Sequence, residues 1–307
     1  MRGYVTDRQG RAGLRLTDDL PEPNPAPNEL VLDVRAYSIN PGEVSLIGQR
    51  SNGWRPGQDV AGVVSRAAAN GSAPPEGARV VARANSEGWA DRVAVPVSRC
   101  AELDDRVSFE QAATLPIAGL TALRALRTGG AVPGRNVLVT GATGGVGQFA
   151  VQLAVLSGAR VTAQVSRRER EPEARALGAH EVVTSLDSSG LGPFHLVLDG
   201  VGGPQLARAV QLMAPEGIAA LYGRLAGETQ LSISDFYKSA WNGRVIGLVS
   251  ELPEEIKGED LAIIVALVAA GRLTPTIGWT GDWTKTREAF EALARRDIRG
   301  KAVLTRP

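Results

Sequence analysis

The sequence predicts a two-domain α/β protein, a β-rich unit joined to a doubly wound parallel sheet, and three observations carry that expectation. Its 307 residues exceed the size at which a single hydrophobic core stops growing. From residue 28 to about residue 100, short apolar runs are broken by Gly, Pro and Asn, the texture of strands and turns. After about residue 114 the pattern changes to apolar strands alternating with helical stretches, the signature of βαβ units. The expected division is 1–114 with 252–307 for one domain and 115–251 for the other.

In the first domain the expected strands are Glu29 to Tyr37, Val60 to Arg66, Ala78 to Ala84 and Trp89 to Val95. Asn70 to Gly77 (NGSAPPEG) is a turn, because Gly and Pro preset dihedrals there that a strand cannot use. Pro21 to Pro27 reads as a short extended connector. In the second domain Val137 to Thr140 is a buried strand, and Gly147 to Ser157 carries Ala150, Leu153 and Ala154 at helical spacing. Arg160 to Val165 is the next strand, followed by Glu181 to Thr184, Leu196 to Asp199, Ile218 to Tyr222 and Val245 to Val249, with a helix near Pro204 to Met213. Six strands with crossovers fit a doubly wound sheet. The tail, with helices near Asp260 to Ala270 and Lys285 to Ala294 and a strand at Lys301 to Thr305, is expected to return to the first domain.

Composition narrows the function classes. Hydrophobic residues at 43% and charged residues at 22% are ordinary for a folded globular chain. The most apolar stretch, Leu261 to Ala270, is about half the length needed to cross a bilayer and is bracketed by Glu259, Asp260 and Arg272. Met1 to Leu20 carries charges throughout and shows no export signal, so a cytoplasmic protein without membrane partners is expected. Thirty-four basic and thirty-three acidic residues leave a formal charge of +1, with no basic block to track a nucleic-acid backbone. Cys100 is the single cysteine, which excludes an intrachain disulfide and a thiolate zinc cluster. His180 and His195 are the two histidines and read as surface or strand-end residues, so no metal is expected.

The sharpest local signal is Asn136 to Gln148 (NVLVTGATGGVGQ), a strand that turns through small residues directly into a helix. A helix start offers unpaired N–H groups and the positive end of its dipole, and small residues let a diphosphate approach the main chain. Ala142, Thr143, Gly144, Gly145, Val146 and Gly147 are the candidate pyrophosphate cradle. The spacing departs from G-x-G-x-x-G by the alanine at 142, and a glycine-rich loop also serves simply as a tight turn. The second strand ends in Ser166, Arg167 and Arg168, with Arg170 close behind and no carboxylate at the strand end to hold ribose hydroxyls. Guanidinium groups there pair with a 2′-phosphate, which predicts NADPH rather than NADH. The same residues also read as a solvated basic helix start, neutralised by Glu169, Glu171 and Glu173.

Further motifs agree in order along the chain: Pro56 to Val63 (PGQDVAGV), Gly77 to Val81, Gly88 to Val95 (GWADRVAV), Ala112 to Leu123 (AATLPIAGLTAL), Leu177 to Ala179 (LGA), Asp199 to Gly203 (DGVGG) and Arg299 to Leu304 (RGKAVL). With the glycine-rich turn, they make the chain resemble, over nearly its whole length, the quinone oxidoreductase branch of the medium-chain dehydrogenase/reductase superfamily. The resemblance implies a GroES-like β-rich catalytic domain, a Rossmann cofactor domain and an active-site cleft between them. Zinc-dependent relatives carry a Cys and a His as catalytic ligands in the first domain. The matching places here hold Asn40 and Gln58, with Ile117 near the third ligand, which implies a zinc-free site.

Without a Lewis acid, hydride transfer to an acceptor that delocalises its own charge is the easier chemistry. The expected function is therefore NADPH-dependent reduction of a quinone or other conjugated carbonyl compound. By resemblance, Asn40 orients the substrate, although it also reads as a turn residue before Pro41, and Thr121 lies near the nicotinamide ribose or is simply a helix residue. Gly200, Val201, Gly223, Arg224, Gly247, Leu248 and Val249 are assigned with them to the cofactor. Trp54, Trp89, Phe236, Tyr237 and Trp241 are either stacking walls for a flat substrate or core. Two other readings stay open: an enoyl-thioester reductase of polyketide or fatty-acid type, and a nonenzymatic NADPH-binding sensor. The resemblance also implies a homodimer, paired edge to edge through Val245 to Val249.

Overall fold

Gly and Pro cut the first hundred residues into short strands, and those strands pair antiparallel. The computed structural model describes residues 1–72, 74–248 and 254–306, with backbone alone for 254–256. Its strands are β1 (Gly3–Thr6), β2 (Leu14–Thr17), β3 (Glu29–Ile39), β4 (Asp59–Arg66), β5 (Arg79–Arg83), β6 (Arg92–Pro96) and β7 (Cys100–Glu102). There follow β8 (Asn136–Val139), β9 (Arg160–Gln164), β10 (Glu181–Val183), β11 (Phe194–Asp199), β12 (Met213–Leu221) and β13 (Arg244–Gly247), then β14 (Ile277–Asp282) and β15 (Lys301–Thr305). Two compact units result, Met1–Leu120 with Leu252–Pro307, and Thr121–Glu251.

In the first unit β1 and β2 form a ribbon, and the larger sheet runs β14-β15-β3-β4-β5-β7, with β6 also pairing β3. Its pairs are antiparallel except β14 with β15, so the sheet is mixed. β3 serves three neighbours because it is long: β6 pairs it from Glu29 to Asp33 and β15 from Ala36 to Ile39, while β4 pairs it from Val31 to Ser38. Leu30, Leu32, Tyr37, Val60 and Trp89 lie in the core of this unit. Trp89 is fully buried and stacks on Tyr37 with ring centroids 5.8 Å apart, an arrangement that adds about 0.5–1.5 kcal/mol beyond burial. Of the two readings of Trp89, this is the core one. The helix Glu254–Ala269 buries Leu261, Ile264, Val265 and Val268, the spacing of one helical face.

The second unit is the doubly wound sheet. Six parallel strands run in the order β10-β9-β8-β11-β12-β13, so strand order reverses between β8 and β11. In such sheets a ligand binds outside the carboxyl ends of the strands at that switch point. The helix Gly147–Leu156 is buried from Gly147 to Ala154, Gln148 and Gln152 included, as a helix that is apolar nearly all round requires.

The structure adds elements that periodicity did not reveal: β1, β2, β14 and the helices Pro41–Gln49 and Ile233–Lys238. Each is short, and a run of four to nine residues carries too few repeats to register a period. The predicted strand Val245 to Val249 is β13, which ends at Gly247, and Val249 lies outside the described residues.

Candidate functional site

The carboxyl ends of β8, β9, β11, β12 and β13 lie on one edge of the parallel sheet, and most of the cofactor candidates sit there. β8 leads through residues 140–146 into the helix Gly147–Leu156, whose N-cap residue Val146 makes no side-chain cap hydrogen bond. Within the turn Gly144 N–H bonds the Gly141 carbonyl, Gln148 N–H the Gly144 carbonyl, and Phe149 and Ala150 N–H the Val146 carbonyl, which leaves the N–H groups of Gly145, Val146 and Gly147 to face an anion. The turn is tied to β9 by Ala142 N–H to the Gln164 carbonyl (3.0 Å) and by Gly141 N–H to Gln164 Oε1 (3.2 Å). A Cβ on Gly147 would stand 2.2 Å from the Gly141 carbonyl oxygen and 2.8 Å from Ala142 Cα, so only glycine fits where helix meets turn.

Across the switch point Thr140 Oγ1 donates to Asp199 Oδ1 at 2.6 Å and accepts from Gly200 N–H at 3.1 Å, while Gly202 N–H donates to Asp199 Oδ2 at 2.8 Å. Burial pushes the Asp199 carboxyl above its ordinary range, and the bonds from Thr140, Gly202 and Val201 oppose that rise. These bonds lock the ends of β8 and β11 together and set the position of Gly200 and Val201. Gly223 packs so close to β11 that a Cβ on it would meet the Gly200 carbonyl oxygen at 2.1 Å. Arg224 and Gly247 are exposed, and Leu248 N–H bonds the Leu221 carbonyl at 2.8 Å.

The basic run after β9 divides. Ser166, Arg167 and Arg168 are exposed at the strand end, and Arg168 stands 3.8 Å from Glu171. Arg170 is buried, with Nη1 donating to Thr143 Oγ1 at 3.2 Å. It ties the strand end after β9 to the glycine-rich turn from within.

In the first unit Asn40 belongs to a buried polar cluster. Ser38, Asn40, Glu43, Asp59 and Lys301 are all buried. Asp59 Oδ2 accepts from Ser38 Oγ (2.6 Å), Asn40 Nδ2 (2.8 Å) and Lys301 Nζ (3.1 Å), and Oδ1 accepts from Ile117 N–H (2.8 Å). Glu43 accepts Asn40 N–H (2.9 Å) and Asn40 Nδ2 (3.3 Å) on Oε2, and Gln58 N–H (2.9 Å) on Oε1. Lys301 Nζ also donates to Asn40 Oδ1. The Asn40 amide is therefore engaged at both ends inside the cluster. Burial first, and Asp59 second, push the Glu43 carboxyl up to about 8, against Lys301 and Asn40, which lower it.

Thr121 begins the second unit in the helix Leu120–Thr128 and is half-buried. Trp54 is half-buried against the first unit's core, Phe236 packs on the second unit's core, and Tyr237 and Trp241 are exposed. Sequence reasoning missed the Thr140–Asp199 tie and the whole cluster around Lys301. A signal for the cluster was present in Asn40-x-x-Glu43, the spacing of a helix cap, and in the charges Asp59 and Lys301 that open otherwise apolar strands.

A family model described as zinc-binding dehydrogenase matches residues 145–265. The human quinone oxidoreductase is 29% identical over 296 residues, covering 91% of this chain and 89% of that protein. The Escherichia coli quinone oxidoreductase, solved in complex with NADPH, superposes with a TM-score of 0.88 at 21% identity, covering 99% of this chain and 100% of that one. The chain belongs to the medium-chain dehydrogenase/reductase superfamily. Its place there is the quinone oxidoreductase branch. A Streptomyces orinoci spectinabilin polyketide synthase protein is 33% identical over 295 residues, 92% of this chain but 13% of that protein. No helix among the described residues of this superfamily member is long and apolar enough to cross a membrane.

Proposed function

We propose that the chain is an NADPH-dependent oxidoreductase that reduces a quinone or another conjugated carbonyl compound without a metal, the second unit holding the cofactor and the first serving catalysis. The observation that carries this reading is the pairing of a glycine-only helix start at Gly147 with a strand end that exposes Ser166, Arg167 and Arg168 and bears no carboxylate. The helix start would hold the pyrophosphate, and the two arginines the 2′-phosphate. Gly200, Val201, Gly223, Arg224, Gly247 and Leu248 would border the nicotinamide end. When bound, NADPH supplies a hydride. The donor set at the zinc-ligand places does not suit zinc: Ile117 offers a hydrocarbon side chain and Asn40 is engaged within its cluster. A conjugated acceptor fits such a site, because its own π system spreads the charge that a metal would otherwise stabilise.

The double variant Arg167→Ala, Arg168→Ala tests the cofactor. A charge-assisted hydrogen bond contributes about 1.5–3 kcal/mol, so NADPH affinity is expected to fall tenfold to a hundredfold, towards the NADH value, in a titration of nicotinamide fluorescence. Equal and weak binding of both cofactors by the unaltered protein would end the proposal. The polyketide synthase relative supports a second reading, reduction of an enoyl thioester. Consumption of NADPH with crotonyl thioester but not with a naphthoquinone would select it.

We further propose a homodimer. β13 is an edge strand of the described sheet, and Ile233, Tyr237 and Trp241, exposed by 76%, 81% and 49%, lie on the segment that leads into it. Sedimentation is expected to give a dimer at micromolar concentration and a monomer for Tyr237→Asp; a monomeric parent protein would contradict this.

A further inference from the structure

The stretch from Gln164 to Arg170 is fastened at both ends to the glycine-rich turn, and the exposed arginines lie between the fastenings. At one end Gln164, the last residue of β9, accepts Ala142 N–H on its carbonyl at 3.0 Å and Gly141 N–H on Oε1 at 3.2 Å. Its Nε2 donates to the Val165 carbonyl at 2.9 Å, which holds the side chain in that pose. At the other end the buried Arg170 donates from Nη1 to Thr143 Oγ1 at 3.2 Å. Arg170 N–H in turn bonds the Arg167 carbonyl at 3.1 Å, so the second fastening passes directly into the backbone of Arg167. Both ends therefore meet the same short run, residues 141–143, which leads into the N–H groups of Gly145, Val146 and Gly147. A charged side chain on a loose segment binds a phosphate only after that segment is ordered, whereas one on a fastened segment is ordered by folding itself.

We infer that Arg170 is a positioning residue for the choice of cofactor: bonded to Thr143, it holds Arg167 and Arg168 at a set distance from the pyrophosphate turn, so that a ligand seated in the turn brings its 2′-phosphate to arginines already in place. The inference rests on the proposed NADPH site and goes beyond it, because it assigns Arg170 no contact with the cofactor. Two subsites at fixed spacing act as a chelate. Once the diphosphate is seated, the second phosphate binds at the effective concentration that the spacing allows, and that concentration is highest when the span is rigid and matched to the ligand. The preference for NADPH is then larger than the attraction of the two arginines for a 2′-phosphate alone. Removing the Arg170 donor leaves the charges of Arg167 and Arg168 in place and takes away only their spacing from the turn.

The test measures how much a 2′-phosphate tightens binding in two settings: NADPH against NADH, where the diphosphate is present, and adenosine 2′-monophosphate against adenosine, where it is not. Nicotinamide fluorescence gives the first pair of affinities and ligand-detected NMR the second. In the parent protein the gain is expected to be larger for the dinucleotides. Arg170→Met keeps the buried length of the side chain without its donors. It should lower the preference for NADPH over NADH about tenfold, with NADH affinity and the fragment preference unchanged. Arg170→Lys, which can still donate to Thr143 Oγ1, should restore part of the preference. Thr143→Val removes the acceptor with Arg170 still present and should lower the dinucleotide preference alone, which decides the matter if Arg170→Met does not fold. A fall in both preferences together would make Arg170 a direct phosphate ligand, and an unchanged dinucleotide preference would make its bond to Thr143 structural only; either result overturns the inference, as would equal gains in the two settings for the parent protein. A parent protein that binds NADPH no more tightly than NADH would instead overturn the cofactor reading on which it rests.

Discussion

Lys301→Met is expected to destabilise the first unit by about 3–5 kcal/mol at pH 8, because breaking a buried ion pair leaves uncompensated charge in the core. Lys301 is 3% exposed and Asp59 fully buried, they pair at 3.1 Å, and Glu43 stands in the same cluster. The loss should depend on pH. Glu43 ionises near 4.5 when solvated and near 8 in the fold, so between these values the folded state holds one proton more than the unfolded chain. Stability linked to this group is fully present below the lower value and declines as pH rises through the upper one, by at most about 1.4 kcal/mol per pH unit. Lys301 lowers the Glu43 value, so its removal extends the decline above pH 8. Urea midpoints taken from pH 5 to pH 9 should show parent and variant nearest at the acid end and furthest apart at the alkaline end. A constant gap across that range would mean that Lys301 contributes packing and not charge.

Gly147→Val is expected to abolish cofactor binding at micromolar concentrations. The added Cβ would stand 2.2 Å from the Gly141 carbonyl oxygen and 2.8 Å from Ala142 Cα, and both are backbone atoms that cannot rotate aside. Either the helix withdraws or the turn opens, and both movements break up the N–H groups that would face a diphosphate. Overpacking of this kind costs about 1–3 kcal/mol in stability, and a loss of about 3 kcal/mol in binding is roughly a hundredfold in affinity. Isothermal titration with NADPH measures it. The control is Gly48→Ala, in the helix Pro41–Gln49, where a Cβ meets nothing within 4 Å and helix propensity favours alanine. It should bind NADPH as the parent protein does, and an equal loss in both variants would remove the steric explanation.

Much of the second unit was legible because its signals are local. A strand, a run of small residues and an apolar helix occupy only residues 136–156, and each step constrains the next through backbone geometry alone. The exposed arginines were legible too, since they follow directly on β9. The same reading could not separate Arg170 from Arg167 and Arg168, because their different fates depend on Thr143, 27 residues earlier than Arg170.

The sequence by itself determined the two kinds of unit, the parallel sheet with its strand–turn–helix entry, and the family, all of which rest on patterns that repeat or connect over some twenty residues. Only the tertiary structure decided what the polar side chains do. Asn40 and Gln58 are equivalent amides on paper. They differ because Lys301, 261 residues beyond Asn40, arrives on β15 beside β3 and bonds Asn40 Oδ1, while Gln58 meets Glu43 through its backbone only. Spacing along a chain sets dihedrals and faces, whereas the partner that saturates a buried hydrogen-bonding group is chosen by which strands lie side by side.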